Sequence, residues 1–274
     1  MQNLKLLSQA VKEHSPRENL RTIEIAGCKL TLDLRFPHER AYYENSLFGL
    51  VEAESLTLAR FLRPGDIVLD AGANIGYTAL HALSCGAAKV YAFEPAPELY
   101  ERLASLPDER LHPYQTALSD RPGEAEMLLS QSHNQGHSLN PGFREDFPAV
   151  YGEKPVSCTV SLATLDSLFN DLRFDYMKID VEGSEAALLR GARQILTRKP
   201  PRIMQIESYD RYFPAVHEQA ARYFKHVRRA ALAYETMSLK LAAPGDTEIL
   251  DGNKYLFSPP VYLYANDASL FGES

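Results

Sequence analysis

Short apolar runs separated by amphipathic stretches set the rhythm of this chain from residue 66 onward. Asp66–Asp70, Lys89–Glu94, Asp175–Asp180 and Arg202–Glu207 read as strands that each end on an acid, and Leu111–Ser119 reads as another strand. Between them, Gly76–Cys85, Pro97–Leu106 and a segment from about Ser184 to Leu196 read as helices, with Gly86 placed for a left-handed cap after the first. Upstream, Leu47, Leu50, Val51, Leu58, Phe61 and Leu62 mostly recur at three-to-four spacing, which predicts a helix over Ser46–Leu62 that Pro64-Gly65 ends. Alternation over Arg21–Leu34 around Ala26-Gly27 predicts a hairpin, and residues 1–20 form a polar, helix-leaning lead-in. Downstream, a helix is expected near Pro214–Tyr223 and strands at 224–231 and 254–257. Strand–helix alternation of this kind predicts an α/β fold with a mostly parallel, doubly wound sheet covered on both faces. Residues 131–157 interrupt the rhythm with a polar, turn-rich stretch. Such a segment serves either as a lid or substrate loop or as a surface excursion.

Composition narrows the partners. With 274 residues the chain can bury a substantial core, and no Gly/Ser-rich or Pro-rich linker divides it. A formal charge of -7 and the lack of a long basic run argue against nucleic acid as a partner. Cys28, Cys85 and Cys158 are scattered without metal-ligand spacing, which fits a reducing compartment. No apolar stretch approaches the ~20 residues of a membrane span, and the first residues lack the apolar core of a secretory signal. The cytoplasm is therefore the expected location.

The segment Ile67-Val68-Leu69-Asp70-Ala71-Gly72-Ala73-Asn74-Ile75-Gly76-Tyr77-Thr78 reads as a strand, a nucleotide-binding turn and the start of a helix. Gly72 lets the turn approach a ligand. Gly76 suits unusual backbone geometry or tight helix–strand packing. Asn74 between them carries an amide able to donate and accept. Glu94, 24 residues after Asp70, ends the next strand, where a carboxylate can accept from both ribose hydroxyls. NAD would be served by the same placement. Asp70 distinguishes the two cofactors, because an acid at the first strand end repels a pyrophosphate and suits the sulfonium and ammonium of S-adenosylmethionine. An NAD-dependent oxidoreductase is the competing reading.

The combined string resembles the FkbM family of S-adenosylmethionine-dependent methyltransferases. The resemblance is carried by Asp70–Tyr77, by Phe93-Glu94-Pro95, by Ala117-Leu118-Ser119-Asp120 with Gly123, and by Thr164-Leu165-Asp166 followed by Lys178–Glu185 and Leu189–Ala192. Lys199-Pro200, Glu207, and Gly252-Asn253 before Leu256-Phe257 also match, so the resemblance covers roughly residues 50–257. It implies a class I methyltransferase fold, a Rossmann-like sheet of about seven strands whose last strand is antiparallel. On this reading residues 1–45 are an N-terminal extension, a helix and hairpin packed on the core, and 46–274 are the methyltransferase domain. The resemblance further implies that Asp70, Gly72, Asn74 and Glu94 line the cofactor, with Gly76 and Pro95 in the same set, and that residues near Ser119 and Asp120 face the adenine. Family members modify hydroxyls on sugars, glycolipids and natural products, so the expected reaction is O-methylation of a sugar, glycan or secondary metabolite. N- or carboxyl-methylation by the same fold is an alternative. The assembly is left open, with a homodimer as one arrangement.

Methyl transfer needs an oriented nucleophile and a group to take its proton. Asp180, at the end of its strand, and Glu182, two residues later, are the candidates for that base. Ser184 and Glu185 fit the N-terminus of the following helix. His133 and His137 on the polar loop are alternative bases or substrate contacts, and Glu207 is a further substrate-facing acid. A variant mechanism has Asp180, Glu182 and Glu207 hold Mg²⁺, which would lower the pKa of an alcohol. Lys178, inside a strand, is expected to fill space or pair with an acid.

Overall fold

The computed structural model describes residues 19–49, 52–233, 238–246 and 260–272. The expected lead-in at 1–18 and the strand at 254–257 lie outside these residues. Alternation over Arg21–Leu34 does give a hairpin, β1 (Leu20–Ile25) and β2 (Cys28–Asp33), with Ala26 and Gly27 both at positive φ in its turn. The predicted helix over Ser46–Leu62 is two helices instead. α1 (Pro37–Phe48) begins on a proline and is stopped by Gly49 in the left-handed region, and α2 (Ala53–Phe61) follows. Leu47 is exposed, so its place in the apolar spacing did not mark a buried face.

The central sheet grows outward from β3 (Ile67–Ala71), which lies parallel between β4 (Lys89–Phe93) and β9 (Tyr176–Ile179). β5 (Leu111–Tyr114) extends the parallel order beyond β4, and β10 (Ile203–Glu207) extends it beyond β9. The direction then reverses. β13 (Val261–Ala265) is antiparallel to both β10 and β11 (His226–Ala233), and β12 (Ser238–Ala242) pairs antiparallel along the outer edge of β11. The strand order is β12-β11-β13-β10-β9-β3-β4-β5. Without the edge strand β12, this is the seven-strand class I methyltransferase order, with the antiparallel strand at 261–265.

Period-two alternation sends successive side chains into two layers. Val68, Val90 and Tyr176 pack on one face; Leu69, Ala71, Phe93, Met177 and Ile179 pack on the other. Fully burying a side chain of this kind is worth about 1.5–3 kcal/mol. The helices α3 (Tyr77–Ser84) and α4 (Pro97–Ala104) connect the parallel strands as predicted.

Leu111–Ser119 is not one strand. After Tyr114 the chain leaves the sheet, and β6 (Ala117–Leu118) joins a second sheet with β7 (Gly123–Leu129) and β8 (Val156–Ala163), ordered β6-β8-β7. The helix expected over Ser184–Leu196 divides at Ala192 into α8 (Glu185–Gly191) and α9 (Arg193–Arg198). Asp166, at the start of the short helix α7 (Leu165–Leu168), accepts from the N–H groups of Gln194 and Ile195 at 2.8 and 3.0 Å, which gives α9 its own start. The polar loop contains α5 (Gly142–Asp146) and α6 (Pro148–Tyr151), and α10 (Phe213–Ala220) follows β10. No helix among the described residues is long and apolar enough to cross a membrane.

Candidate active site

A cavity of about 910 Å³ is lined at the carboxyl ends of β3, β4, β9 and β10 by Gly72–Ile75, Glu94, Pro95, Asp180–Glu182 and Glu207, with Tyr209 and Asp210 beyond. Open parallel sheets bind ligands at this edge. Lining also comes from α1 (His38, Tyr42), from α2 (Glu54) and from the polar loop (His133, Asn134, His137). The loop thus faces the cavity rather than leaving the molecule as a surface excursion.

The turn after β3 is built by hydrogen bonds to Glu94. The Glu94 carboxylate is 5% exposed and accepts from the N–H of Asn74 at 2.9 Å and of Ala96 at 2.8 Å. Burial pushes this acid up to about 7 despite those two donors. Asn74 sits at φ 51°, and its side chain donates to the Asn134 carbonyl at 2.9 Å, which joins the turn to the loop. Asn134 in turn donates to Glu39 Oε1 at 2.8 Å. Glu39 is 0% exposed, pairs with Arg102 at 2.6 Å and accepts from the Asp33 N–H at 2.7 Å. One polar chain therefore runs from the hairpin through α1 and the loop to the turn. Tyr42 of α1 also stacks on Tyr77 of α3, with ring centroids 3.7 Å apart.

Four expected cofactor contacts lie elsewhere. Asp70 does not line the cavity: it is 1% exposed and paired in register with Lys178, whose Nζ lies 3.7 Å from its Oδ1. Burial raises this acid, and Lys178 opposes the rise. Gly76 is also outside the lining. It starts α3 at φ 91°, and a Cβ there would meet the Leu106 and Leu103 side chains at 2.6 and 2.9 Å, so its need is packing. Ser119 and Asp120 are carried off with the small sheet. The Ser119 N–H bonds Ala163, and Asp120 pairs with Arg190 at 2.8 Å. Thr116, Ala117 and Leu118 line the cavity from this stretch instead, with Leu99 and Met127 adding apolar wall.

One part of the cavity lining is acidic. Asp180, Glu182, Glu207 and Glu54 all face the cavity. Burial raises Glu54 to about 7, and burial with the neighbouring Asp180 charge raises Glu182 and Glu207 well above the carboxylate range. Lys178, 3% exposed, donates to Asp180 Oδ2 at 3.1 Å and to the Gly72 carbonyl at 3.4 Å. Burial opposes its charge, and the surrounding acids, Asp180 first, outweigh burial and raise it. Glu182 adopts φ 49° in a turn followed by Gly183 at φ 88°. That turn is held by the Glu185 carboxylate, which accepts from Gly183 and Val181, and by Ser138 of the loop, which donates to the Glu182 carbonyl at 2.5 Å. Ser184 makes no side-chain cap, so Glu185 alone fills the expected role at the helix start.

Two expectations fail on chemistry. His133 Nδ1 accepts from the Gly136 N–H at 3.1 Å, and His137 Nδ1 from the Ser130 N–H at 3.0 Å. Burial lowers both, His137 to about 4. A neutral ring with Nδ1 occupied carries its hydrogen on Nε2 and has no lone pair left for a base; these histidines are donors. The Mg²⁺ set of Asp180, Glu182 and Glu207 is likewise not gathered. Among the described residues, the acids whose oxygens lie within 4.8 Å of one another are Glu54, Asp180 and Glu207, and Lys178 stands beside two of them. Glu54 was missed because a single acid within the apolar spacing of a helix carries no motif.

The model of the methyltransferase FkbM domain matches residues 70–234, more than half of the chain. The chain is 33% identical to the 31-O-demethyl-FK506 methyltransferase FkbM of Streptomyces tacrolimicus over 53% of its own length, and spans 65% of that relative. Among solved structures it is similar to a TehB-like SAM-dependent methyltransferase from Corynebacterium glutamicum (TM-score 0.45, 10% identical, 84% of this chain and 96% of that one). It is also similar to an rRNA methylase from Streptococcus thermophilus (TM-score 0.40, 17% identical, 76% and 90%). On the match to the family's domain, the chain belongs to the FkbM methyltransferase family.

Proposed function

We propose that this methyltransferase transfers the methyl group of S-adenosylmethionine to a hydroxyl of a sugar, glycan or secondary metabolite. The observation that carries the reading is the sharing of one cavity by the Glu94-held turn and the Asp180 and Glu207 carboxylates at neighbouring strand ends. The name of the relative, an O-demethyl-FK506 methyltransferase, supports an oxygen nucleophile.

The chain's residues fit the cofactor. Glu94 has both oxygens fixed by backbone donors and lone pairs remaining for two ribose hydroxyls. Leu99, Ala117, Leu118 and Met127 offer an apolar wall for adenine. The acids round Lys178 suit a cationic methionine end. When bound, S-adenosylmethionine supplies an electrophilic methyl group activated by its positive sulfur.

The remaining work is positioning and proton transfer. Asp180 Oδ2 accepts from Lys178 at 3.1 Å, and its carboxylate faces the cavity. It serves as the base that receives the acceptor hydroxyl's proton, a contribution of about 10²–10⁴-fold. Glu207, Glu182 and Tyr209 orient the acceptor; His133 and His137 donate Nε2–H to its oxygens. From the segment before residue 46, His38 and Tyr42 complete the cavity wall. A screen of sugars, glycans and polyketide-like alcohols with methyl-labelled S-adenosylmethionine tests this. Label on a hydroxyl oxygen supports it, and label only on nitrogen or carboxylate acceptors contradicts it.

A further inference from the structure

One buried ammonium is set beside the acids of the cavity lining. Lys178 Nζ lies 3.1 Å from Asp180, 3.7 Å from Asp70 and 3.9 Å from Glu54, and 3.4 Å from the Gly72 carbonyl oxygen. Glu54, Asp180 and Glu207 bring one oxygen each within 4.8 Å of the others, a spacing able to hold a divalent ion. Mg²⁺ or Mn²⁺ would have to take oxygens at about 2.0–2.2 Å that already face a positive charge. A second cation there is repelled by the first, and Lys178, 3% exposed, is held by Asp180, Asp70, Glu54 and the Gly72 carbonyl.

We propose that Lys178 is the resident cation of this site. Its ammonium lies against Glu54 and Asp180, two of the three acids that a divalent metal would use together with Glu207, and it positions the Asp180 carboxylate against the turn at Gly72. The reaction then runs without a divalent ion. Lys178 touches neither acceptor nor methyl donor in this account; it is a positioning residue acting through Asp180. The inference rests on the methyl-transfer reading only for what Asp180 does, since cation occupancy can be measured independently.

The test is Mn²⁺ binding to the full chain, followed by electron paramagnetic resonance of the free ion, with S-adenosylhomocysteine titration as the check on fold and cofactor site. Wild type leaves Mn²⁺ free. Lys178→Gln, close in shape but uncharged, opens the cation position and binds Mn²⁺ at least about tenfold tighter. Adding Glu207→Gln removes the gain, and Lys178→Arg, which keeps the charge, leaves Mn²⁺ free. The proposal is overturned if wild type binds Mn²⁺ and Glu207→Gln abolishes it. It is equally overturned if Lys178→Gln binds S-adenosylhomocysteine but no more Mn²⁺ than wild type. Should Lys178→Gln not fold, the wild-type, Glu207→Gln and Lys178→Arg arms decide. Failure of wild type to bind S-adenosylhomocysteine would instead remove the methyltransferase reading and leave the cation result standing.

Discussion

The Cβ that Gly72 lacks would lie 1.7 Å from the backbone oxygen of Asp180. The turn after β3 and the end of β9 are thus in backbone contact, and Gly72 also holds φ 83°. Gly72→Ala should cost about 3 kcal/mol from left-handed strain and overpacking together. Urea unfolding measures it, and an unchanged midpoint would show that the two segments do not meet.

In the proposed site, Glu94 links ligand binding to pH. Its carboxyl is raised to about 7 from 4.5 by burial, and ribose hydroxyls donate to the ionised form. S-adenosylhomocysteine affinity should therefore fall by up to about tenfold per pH unit below 7. For the unliganded protein the sign is opposite. A raised acid contributes stability that is fully present below 4.5 and lost as pH rises through about 7. Calorimetric titration from acidic to basic pH reads the first effect, and Glu94→Gln should flatten it. A Kd independent of pH in wild type would remove Glu94 from the site.

The Glu39 carboxylate connects the hairpin, α4 and the loop through Asp33, Arg102 and Asn134. Removing it leaves Arg102 and two further donors without their acceptor. Glu39→Ala should destabilise the protein by about 3 kcal/mol and weaken S-adenosylhomocysteine binding through the Asn134–Asn74 contact. Paired denaturation and titration check both, and a stable variant with unaltered binding contradicts the network.

Much of the fold was legible in the sequence because strands ending on acids are punctuated by Gly and Pro. The parallel strands and both helices that connect β3, β4 and β5 lie where periodicity puts them. Divisions inside elements were not legible, because they depend on distant partners. Ser119 leaves the main sheet for Ala163, and Ala192 breaks a helix where Asp166 caps the next one. In the site, Glu94 and Asp180 carried local motif signals. Asp70 carried the same signal and proved to face Lys178, since register decides a strand residue's partner. His38 and Tyr42 come from a segment before the region of resemblance and Glu54 lies at its start, and nothing local in their sequence points at a cavity.

Asp180 is assigned the proton transfer. With an acceptor from the labelling screen, Asp180→Asn should lower kcat by about 10²–10⁴-fold while the affinity for S-adenosylhomocysteine changes little. Turnover equal to wild type would move the base to Glu207 or Glu54.

The account's central claim is that the turn at Gly72–Asn74 and the Glu94 carboxylate bind S-adenosylmethionine rather than a dinucleotide. Isothermal titration of the full chain with S-adenosylhomocysteine and, separately, with NAD tests it most directly. The account predicts one-to-one binding of S-adenosylhomocysteine, weakened by about 1–3 kcal/mol in Glu94→Ala, and no heat with NAD. Tight NAD binding without S-adenosylhomocysteine binding would contradict it.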